Sequence, residues 1–451
     1  MGCFYGFCEP CSFIANYEIP AIQFRISMKE VKKMNKRQNP AELGKIKVGF
    51  FFGGRSVEHE VSVISGLQAM YAINTEKYAP VPVYISKEGH MYTGGRIGEI
   101  EAYSDIPALL SGAERVNLVA EKGHFYLVRY PEKKFSNNIL AELEVAFPVV
   151  HGTNVEDGSL QGYFKIIGIP FVGCDVTASA IGMDKAATKA VLKPYGIPVL
   201  DCVCVSGKSY YDAPDETLAR VESQTSYPVI VKPLNLGSSV GITKAADRAA
   251  LRRAIEHAFS FAETALIENA VQNLKEINCA VLGDIDGAEA SVCEEPVGSD
   301  EILSYADKYV GGSKGEGAKT GAKCGAKTGG SKGSSGMATL KRKIPAEIPA
   351  EIEQRVKDYS VRAFAAIGCA GVTRIDYLYD TVSGALYLNE LNTIPGSLAY
   401  YLWEASGVPF AELLDRLIRL AFKRARKEDN LNFSFDTNIL KGVTLGRGAK
   451  G

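Results

Sequence analysis

Three side chains with oxygen atoms follow a pattern that suits a divalent cation. Glu390 and Asn392 lie two residues apart at the end of an apolar run, so in a strand both point to the same face. Asp376 lies in a second apolar run, and if the two strands pair, the three groups converge. Carboxylate and amide oxygens are ligands that Mg²⁺ prefers, with phosphate and water completing its shell. The alternative is a pair of solvated carboxylates on an edge strand.

Basic residues near the same strands suit a reaction that develops negative charge. Arg374 lies two residues before Asp376 on the same predicted face, where a fixed cation would favour phosphoryl transfer or an oxyanion. Lys232 ends the apolar run YPVIVK, and the Gly-Ser-Ser loop 237–239 can cradle phosphate with backbone N–H groups. Taken singly, such a lysine and such a loop are equally compatible with an ordinary solvated surface.

Strands and helices alternate in the first part of the chain. Residues 45–52 predict a buried strand that ends in a glycine turn, and helices are predicted over 56–73 and 159–167. This alternation predicts a mostly parallel sheet with helices on its faces. Ligands bind such sheets at the carboxyl ends of strands, so loops 53–62 and 151–158 are expected to meet at one crevice.

The patterning divides the chain into five parts and predicts an α/β fold with α+β character in the C-terminal part. The parts are a poorly structured extension over 1–43, a Rossmann-like domain with a parallel sheet over 44–176, a central subdomain over 177–264, a C-terminal subdomain over 265–427 and a tail over 428–451. The chemical groups described above fall mainly in the third and fourth parts.

The glycine surplus is concentrated in one segment. Ten of the 45 glycines and five lysines lie within residues 311–336. Such a segment cannot bury enough apolar surface to order itself, so a flexible insertion is predicted over 310–337. Its GAK repeats lack the Gly-Lys-Ser/Thr of a P-loop, which excludes that kind of phosphate site. Binding of a polyanion to the insertion stays open.

Charge and cysteine usage exclude several functional classes. Lys and Arg total 51 against 52 Asp and Glu, so no basic surface for nucleic acid is expected. No run of 18 apolar residues occurs in the sequence, so no membrane span is expected. The ten cysteines are scattered along the chain, several of them within apolar strand-like runs, which is typical of free thiols in a reducing cytoplasm.

An ordered set of motifs resembles the D-alanine–D-alanine ligases of the ATP-grasp superfamily, from about residue 45 to 426. In chain order the motifs are GGRSVEHEVSVISG, HGTNVEDGSLQG, SAIGMDK, VIVKPLNLGSSVGI, KEINCAVLG, YADKY, GVTRIDYLYD and LNELNTIPG. Each is weak alone, but the ordered set is specific. The resemblance implies an ATP-grasp fold that follows the N-terminal domain. It also implies that ATP phosphorylates one D-alanine, whose acyl phosphate is attacked by the amine of a second, for peptidoglycan precursor synthesis.

The resemblance implies roles in substrate binding and catalysis. Glu58 would hold the ammonium of the first D-alanine, and His151 would lie near its carboxylate. Arg374 and the backbone N–H of Gly396 would stabilise the tetrahedral oxyanion. Two further residues would join Glu58 in a hydrogen-bonded network that closes a loop over the site: Ser238 and Tyr309.

The resemblance also implies a nucleotide and metal site. The ATP phosphates would be held by basic residues and a loop serine: Lys185, Lys232, Lys308 and Ser239. Adenine and ribose would be bound by Glu268 and Glu276. Two Mg²⁺ ions, with Mn²⁺ as an alternative, would be held by Asp376, Glu390 and Asn392.

Two departures from the family pattern affect the second substrate and the lid. The stretch SLAYYLWE after Gly396 differs from the best-known members, and the long Gly/Lys insertion replaces a shorter loop. A D-alanine–D-serine ligase and a catalytically impaired nucleotide-binding homologue therefore stay open beside the D-alanine–D-alanine ligase. A homodimer is expected from the resemblance.

Overall fold

The computed structural model describes residues 44–237, 240–297 and 342–432. Its strands form three sheets, with seven, four and five members. A large apolar core lies against each sheet. The predicted extension 1–43, the Gly/Lys insertion 310–337 and the tail beyond residue 432 lie outside the described residues.

The first sheet has the strand order β6-β5-β4-β3-β2-β1-β7. Its strands are β1 (Ile46–Gly53), β2 (Tyr78–Ile85), β3 (Met91–Thr93), β4 (Glu114–Glu121), β5 (His124–Arg129), β6 (Ile139–Leu143) and β7 (Val145–Pro148). The helices of this part are α1 (His59–Ala72), α2 (Ile106–Ser111) and α3 (Ser159–Ile167), with a 3₁₀ turn at Ile100–Ser104.

This first sheet is mixed, whereas the sequence predicted a mostly parallel one. Pairing is parallel between β1 and its neighbours β2 and β7, and antiparallel from β2 through β6. The hairpin between β4 and β5 turns on Lys122 and Gly123, which both have positive φ. A two-residue turn of this kind can join only antiparallel strands. The Lys-Gly pair was therefore the missed sequence signal.

The second sheet has the order β10-β9-β11-β8, and each pair of neighbouring strands in it is antiparallel. Its strands are β8 (Cys202–Ser206), β9 (Val229–Pro233), β10 (Thr243–Ala245) and β11 (Thr264–Asn269). The helices of this stretch are α4 (Val176–Met183), α5 (Lys185–Leu192), α6 (Gly207–Asp212), α7 (Pro214–Gln224) and α8 (Arg248–Ala258), with a 3₁₀ turn at Lys193–Tyr195.

The third sheet has the order β14-β13-β12-β15-β16. Its strands are β12 (Leu274–Asp284), β13 (Gly287–Pro296), β14 (Arg342–Lys343), β15 (Gly371–Asp380) and β16 (Leu386–Asn392). The helices are α9 (Ala350–Ile367), α10 (Tyr400–Ala405) and α11 (Phe410–Glu428), with a 3₁₀ turn at Gly396–Ala399. Strands β15 and β16 pair, which was the condition for the three oxygen ligands to converge: Asp376 faces Glu390 and Arg374 faces Asn392.

The predicted boundary between the central and C-terminal subdomains does not coincide with the division between the second and third sheets. Strand β11 was expected to open the C-terminal subdomain, yet it pairs with β8 and β9 of the second sheet. Ala178 and Leu192, on helices α4 and α5, belong to the apolar core of the third sheet. Hydrophobic periodicity shows that a segment has a buried face, but the partner of that face is decided only in three dimensions.

Two expectations from composition can be compared with the described residues. The six cysteines there, Cys174, Cys202, Cys204, Cys279, Cys293 and Cys369, are all free, as expected. None of the described helices has both the length and the apolarity needed to cross a membrane.

Helix α1 approaches strand β1 closely because Gly66 has no side chain. A Cβ atom at Gly66 would lie 2.4 Å from Cβ of Phe52. We expect Gly66→Ala to lower the free energy of unfolding by about 1–3 kcal/mol, because the helix must move away from a packed ring. Denaturant titration would measure the change.

A matched control for this substitution lies on helix α3. A Cβ at Gly162 would meet only the Val176 side chain, at an ordinary 3.8 Å. Gly162→Ala should therefore stabilise the protein by up to about 1 kcal/mol, since alanine is the better helix former. Equal effects of the two substitutions would contradict the close-approach explanation.

Candidate active site

A cavity of about 520 Å³ lies between the second and third sheets, with loops of the first sheet at one end. Every predicted site residue that the structure describes lines it: Glu58, His151, Lys185, Lys232, Glu268, Glu276, Arg374, Asp376, Glu390, Asn392 and Gly396. The other four predicted residues, Ser238, Ser239, Lys308 and Tyr309, lie outside the described residues.

The two polar loops of the first sheet meet at this cavity, as predicted. Glu58 immediately precedes α1, and His151 follows β7, which is the parallel neighbour of β1. The Ser56 hydroxyl donates to the carbonyl oxygen of His151 at 2.6 Å. Glu58 and His151 are both buried, so polar groups are concentrated at the carboxyl ends of these strands.

His151 is fully engaged by protein groups. Its Nδ1 lies 2.9 Å from the carbonyl oxygen of Ile394, and its Nε2 lies 3.0 Å from the hydroxyl of Ser65. Burial lowers the pKa of His151 to about 4, and the Arg374 cation also acts in that direction. The imidazole is therefore neutral at physiological pH, and both ring nitrogens already have partners.

A buried ion cluster lies on the side of the cavity formed by the second sheet. The Glu268 carboxylate accepts hydrogen bonds from the ammonium groups of Lys189, at 2.9 Å, and Lys232. Lys232 also donates to the side-chain oxygen of Asn389 at 2.9 Å. Burial favours the neutral acid, but the two lysines outweigh it and lower the pKa of Glu268. The cluster therefore holds the Lys232 ammonium group in position at the cavity wall.

Lys185 connects the loop after β9 to strand β16. Its Nζ donates to the carbonyl oxygen of Leu236 at 2.6 Å and lies 3.8 Å from Oε2 of Glu390. Burial lowers the pKa of Lys185, while Glu390 opposes this effect. This buried lysine begins helix α5, where Asp184 caps the helix by accepting from the N–H of Ala187.

Arg374, Asp376 and Asn392 form one hydrogen-bonded group on the floor of the cavity. Nε and Nη2 of Arg374 each donate to a different Asp376 oxygen at 2.7 Å. The Asn392 amide donates to Oδ2 of Asp376 at 3.1 Å. Although burial opposes the charged form, Asp376 raises the pKa of Arg374 above its usual value. The guanidinium is thus a permanent cation at the position that β15 gives it.

The chain is similar to known proteins over most of its length. Models of the D-ala D-ala ligase N-terminus and of the D-ala D-ala ligase C-terminus match residues 47–174 and residues 191–327 and 332–419, respectively. A D-alanine–D-alanine ligase of Thermosipho melanesiensis is 34% identical over 396 residues, which is 88% of this chain and 98% of that protein. The chain belongs to the D-alanine–D-alanine ligase family.

Solved structures of ligases share the fold. The D-alanine–D-alanine ligase of Coxiella burnetii superposes with a TM-score of 0.68 at 25% identity, covering 86% of this chain and 96% of that one. The VanG D-Ala:D-Ser ligase of Enterococcus faecalis gives 0.65 at 31% identity, covering 84% and 99%. The expected α/β fold of the ATP-grasp type is confirmed.

In this member of the ligase family the cavity also contains a buried acid that the sequence reasoning did not single out. Glu156 accepts from the backbone N–H of Gly152 at 3.0 Å and from that of Ile394 at 3.1 Å. Burial raises its pKa to about 8, and the nearby charge of Glu58 adds to the effect. The available signal was an acidic residue in a loop that directly follows a buried strand.

The shifted pKa of Glu156 predicts a pH-dependent stability. The folded protein holds this proton up to about pH 8, whereas an unfolded Glu loses it near its usual value of about 4.5. The free energy of unfolding that Glu156 contributes is therefore complete below about pH 4.5. It decreases as the pH rises from there and is lost at about pH 8. His151 acts oppositely, losing its contribution as the pH falls from about 6.5 to about 4. Above pH 6.5 the His151 effect is absent, whereas the Glu156 effect continues to about pH 8.

We expect the free energy of unfolding to fall by about 1.5 kcal/mol between pH 6.5 and 8 because of Glu156. Denaturant titrations at several pH values in this window would measure the slope. In Glu156→Gln the neutral amide cannot titrate, so the slope should flatten even though the variant is less stable at pH 6.5. An unchanged slope in that variant would assign the pH dependence to other groups.

A second unpredicted network lies beside Arg374. The Glu294 carboxylate accepts from the hydroxyl of Tyr401 at 2.9 Å, from the Asn278 amide at 3.0 Å and from Arg342 at 3.1 Å. The Arg342 guanidinium stacks 4.1 Å from the centre of the Tyr401 ring. All four residues line the cavity. They come from three strands and a helix, so no single stretch of sequence indicated the group.

Proposed function

We propose that this protein ligates two D-alanine molecules to D-alanyl-D-alanine with ATP, through an acyl phosphate intermediate. The observation that supports this most directly is that all the described residues of the proposed site line one cavity. The family relationship and the relative named D-alanine–D-alanine ligase support the same activity. The dipeptide would serve peptidoglycan precursor synthesis in the cytoplasm, and we propose a homodimer as the assembly.

The basic side of the cavity is the proposed site of the ATP phosphates. Two buried ammonium groups lie there. That of Lys185 donates to the Leu236 carbonyl oxygen at 2.6 Å, and that of Lys232 donates to the Asn389 side chain at 2.9 Å. In this proposal Glu268 and Glu276 bind the adenine and the ribose. Burial strengthens the attraction between these cations and phosphate, because the effective dielectric is lower than in water. Two residues outside the described part complete the phosphate contacts: Ser239 and Lys308.

The carboxylate end of the cavity is the proposed site of two Mg²⁺ ions. Asp376 and Glu390 face each other directly across β15 and β16, an arrangement of like charges that is unfavourable without cations. Their oxygens and the amide oxygen of Asn392 are the hard donors that Mg²⁺ takes. Phosphate oxygens and water would complete the shell, as is usual for Mg²⁺. Bound metal would neutralise charge on the transferring phosphoryl group.

The remaining residues of the proposed site bind the D-alanine substrates or stabilise the reacting groups. Glu58 holds the ammonium of the first D-alanine, and Ser238 and Tyr309 join it in the network that closes the site. Arg374 and the N–H of Gly396 stabilise the oxyanion that forms when the second amine attacks. The charged guanidinium of Arg374 is held by two hydrogen bonds to Asp376, so no reorganisation is needed when this charge develops.

The test is incubation of the pure protein with ATP, Mg²⁺ and D-alanine, with phosphate and dipeptide both measured. Stoichiometric release of phosphate and D-alanyl-D-alanine is the expected result. ATP binding without dipeptide at saturating substrate would overturn the proposal and favour a catalytically impaired homologue.

A D-alanine–D-serine ligase is the second candidate, because the chain is 31% identical to a D-Ala:D-Ser ligase of known structure. Competition between D-alanine and D-serine as acceptors at neutral pH decides between the two. Predominant formation of the mixed dipeptide would favour the second candidate.

A further inference from the structure

The turn that follows β16 has an unusual backbone. Ser397, Leu398 and Ala399 all have positive φ, near +50°. Left-handed backbone is unfavourable for residues with a Cβ, and three in succession are rare. All three are buried. Such a conformation persists only where the surroundings hold it, and it is found mainly at functional sites.

Four side chains from the first domain hold this turn; we call them the turn clamp: Ser65, Gln68, His151 and Glu156. The Ser397 N–H donates to the Ser65 hydroxyl at 2.9 Å, and the Ser397 hydroxyl donates to Oε1 of Gln68 at 2.7 Å. His151 and Glu156 bind the carbonyl oxygen and the N–H of Ile394 at 2.9 and 3.1 Å. The turn clamp therefore binds Ile394 and Ser397, the residues on either side of Pro395 and Gly396.

The hydrogen bonds of the clamp can be ordered from donor to acceptor. A carbonyl oxygen only accepts, so Nδ1 of His151 carries a proton and donates it to Ile394. Nε2 then accepts from the hydroxyl of Ser65, at 3.0 Å. With its proton used in this way, Ser65 is left with lone pairs to accept the N–H of Ser397. Each donor has an acceptor, which defines one geometry for the turn.

Ser65 and Gln68 do not line the cavity, whereas Gly396 does. Gln68 therefore reaches the cavity through the turn, and Ser65 reaches it through the turn and through His151, which itself holds Ile394. We propose that the turn clamp consists of positioning residues, which keep the left-handed turn in place so that the N–H of Gly396 points at the oxyanion. His151 then acts through Ile394 and Ser65 rather than as a charge near the substrate carboxylate. This inference rests on the proposed ligase function.

The central experiment compares Ser65→Ala with Ser62→Ala in the full-length protein. Both serines are buried on α1, and each makes two hydrogen bonds through its hydroxyl. Ser62 bonds to Val149 and Gly53 within the first domain, away from the turn. Steady-state ligation with ATP, Mg²⁺ and D-alanine gives kcat and KM for each variant, and thermal melting gives its stability.

In Ser65→Ala we expect kcat to fall by about 10- to 100-fold, which is less than the effect of removing an oxyanion donor altogether. We expect the KM for ATP to change by less than about twofold. Ser62→Ala should lose a similar amount of thermal stability and keep its kcat. Gln68→Ala, at a half-buried position, should lower kcat by a smaller factor and also leave KM for ATP unchanged.

An unchanged kcat in both Ser65→Ala and Gln68→Ala would overturn the positioning role while leaving the ligase function intact. Equal losses of kcat in Ser65→Ala and Ser62→Ala would also overturn it, because they would indicate a general loss of packing. Absence of dipeptide from the wild-type protein would overturn the proposed function and, with it, this inference.

Discussion

Replacement of Arg374 by alanine is expected to lower the kcat of ligation by about 10²- to 10³-fold, the usual effect of removing a group that stabilises an oxyanion. Arg374 is a buried cation fixed by two 2.7 Å bonds to Asp376. ATP should still bind, because Lys185 and Lys232 lie on a different wall of the cavity. Rates at saturating Mg²⁺ and a separate measurement of ATP affinity would distinguish the two effects. Arg374→Lys should recover only part of the rate, since one ammonium cannot reproduce the bidentate contact.

Arg129 provides a matched control for Arg374. Its guanidinium makes two bonds to Glu114, at 2.9 and 3.0 Å, and its side chain is 12% exposed, as is that of Arg374. This pair lies on the first sheet, outside the cavity. Arg129→Ala should therefore destabilise the protein without changing kcat. A rate in Arg374→Ala equal to that of the wild type would refute the role assigned to Arg374.

Replacement of Glu268 by glutamine is expected to lower the free energy of unfolding by about 3–5 kcal/mol, the range found when one partner of a buried ion pair is removed. Glu268 is 1% exposed and is the carboxylate that both Lys189 and Lys232 contact. The neutral amide would leave two buried ammonium groups close together. Denaturant unfolding without nucleotide would measure the loss, and saturating ATP should restore part of it by supplying negative charge.

Glu353 is the control for this charge removal. It pairs with Lys357 along helix α9, where the two side chains are 33% and 31% exposed. Water screens this pair, so Glu353→Gln should cost less than about 1 kcal/mol. Similar losses in Glu353→Gln and Glu268→Gln would mean that burial does not strengthen the Glu268 cluster.

The residues on β15 and β16 were predictable because a strand has a period of two. Arg374 with Asp376, and Glu390 with Asn392, each share a face by spacing alone, and an acidic group within an apolar run needs a partner. The structure shows that these two strands are neighbours and gives the register, in which Asp376 faces Glu390. Spacing indicates the face that a side chain occupies, whereas register depends on which strands become neighbours.

The contacts of Glu156 and His151 were not predictable in the same way. Both residues bind Ile394, which is more than 230 positions away in the chain. The resemblance placed His151 near a substrate carboxylate, but its two ring nitrogens are occupied by Ile394 and Ser65. Local sequence contains no information about a partner that only the packing of two domains supplies.

The sequence by itself determined the residue types at the site and most of the helices and strands, because periodicity, glycine turns and motif order are local properties. Tertiary structure alone decided the antiparallel part of the first sheet and the place of β11 in the second sheet. It also decided the hydrogen bonds between α1 and the left-handed turn. These features depend on which buried faces meet. The free energy of burial is nearly independent of direction, so a sequence shows that a face must be covered but not which partner covers it.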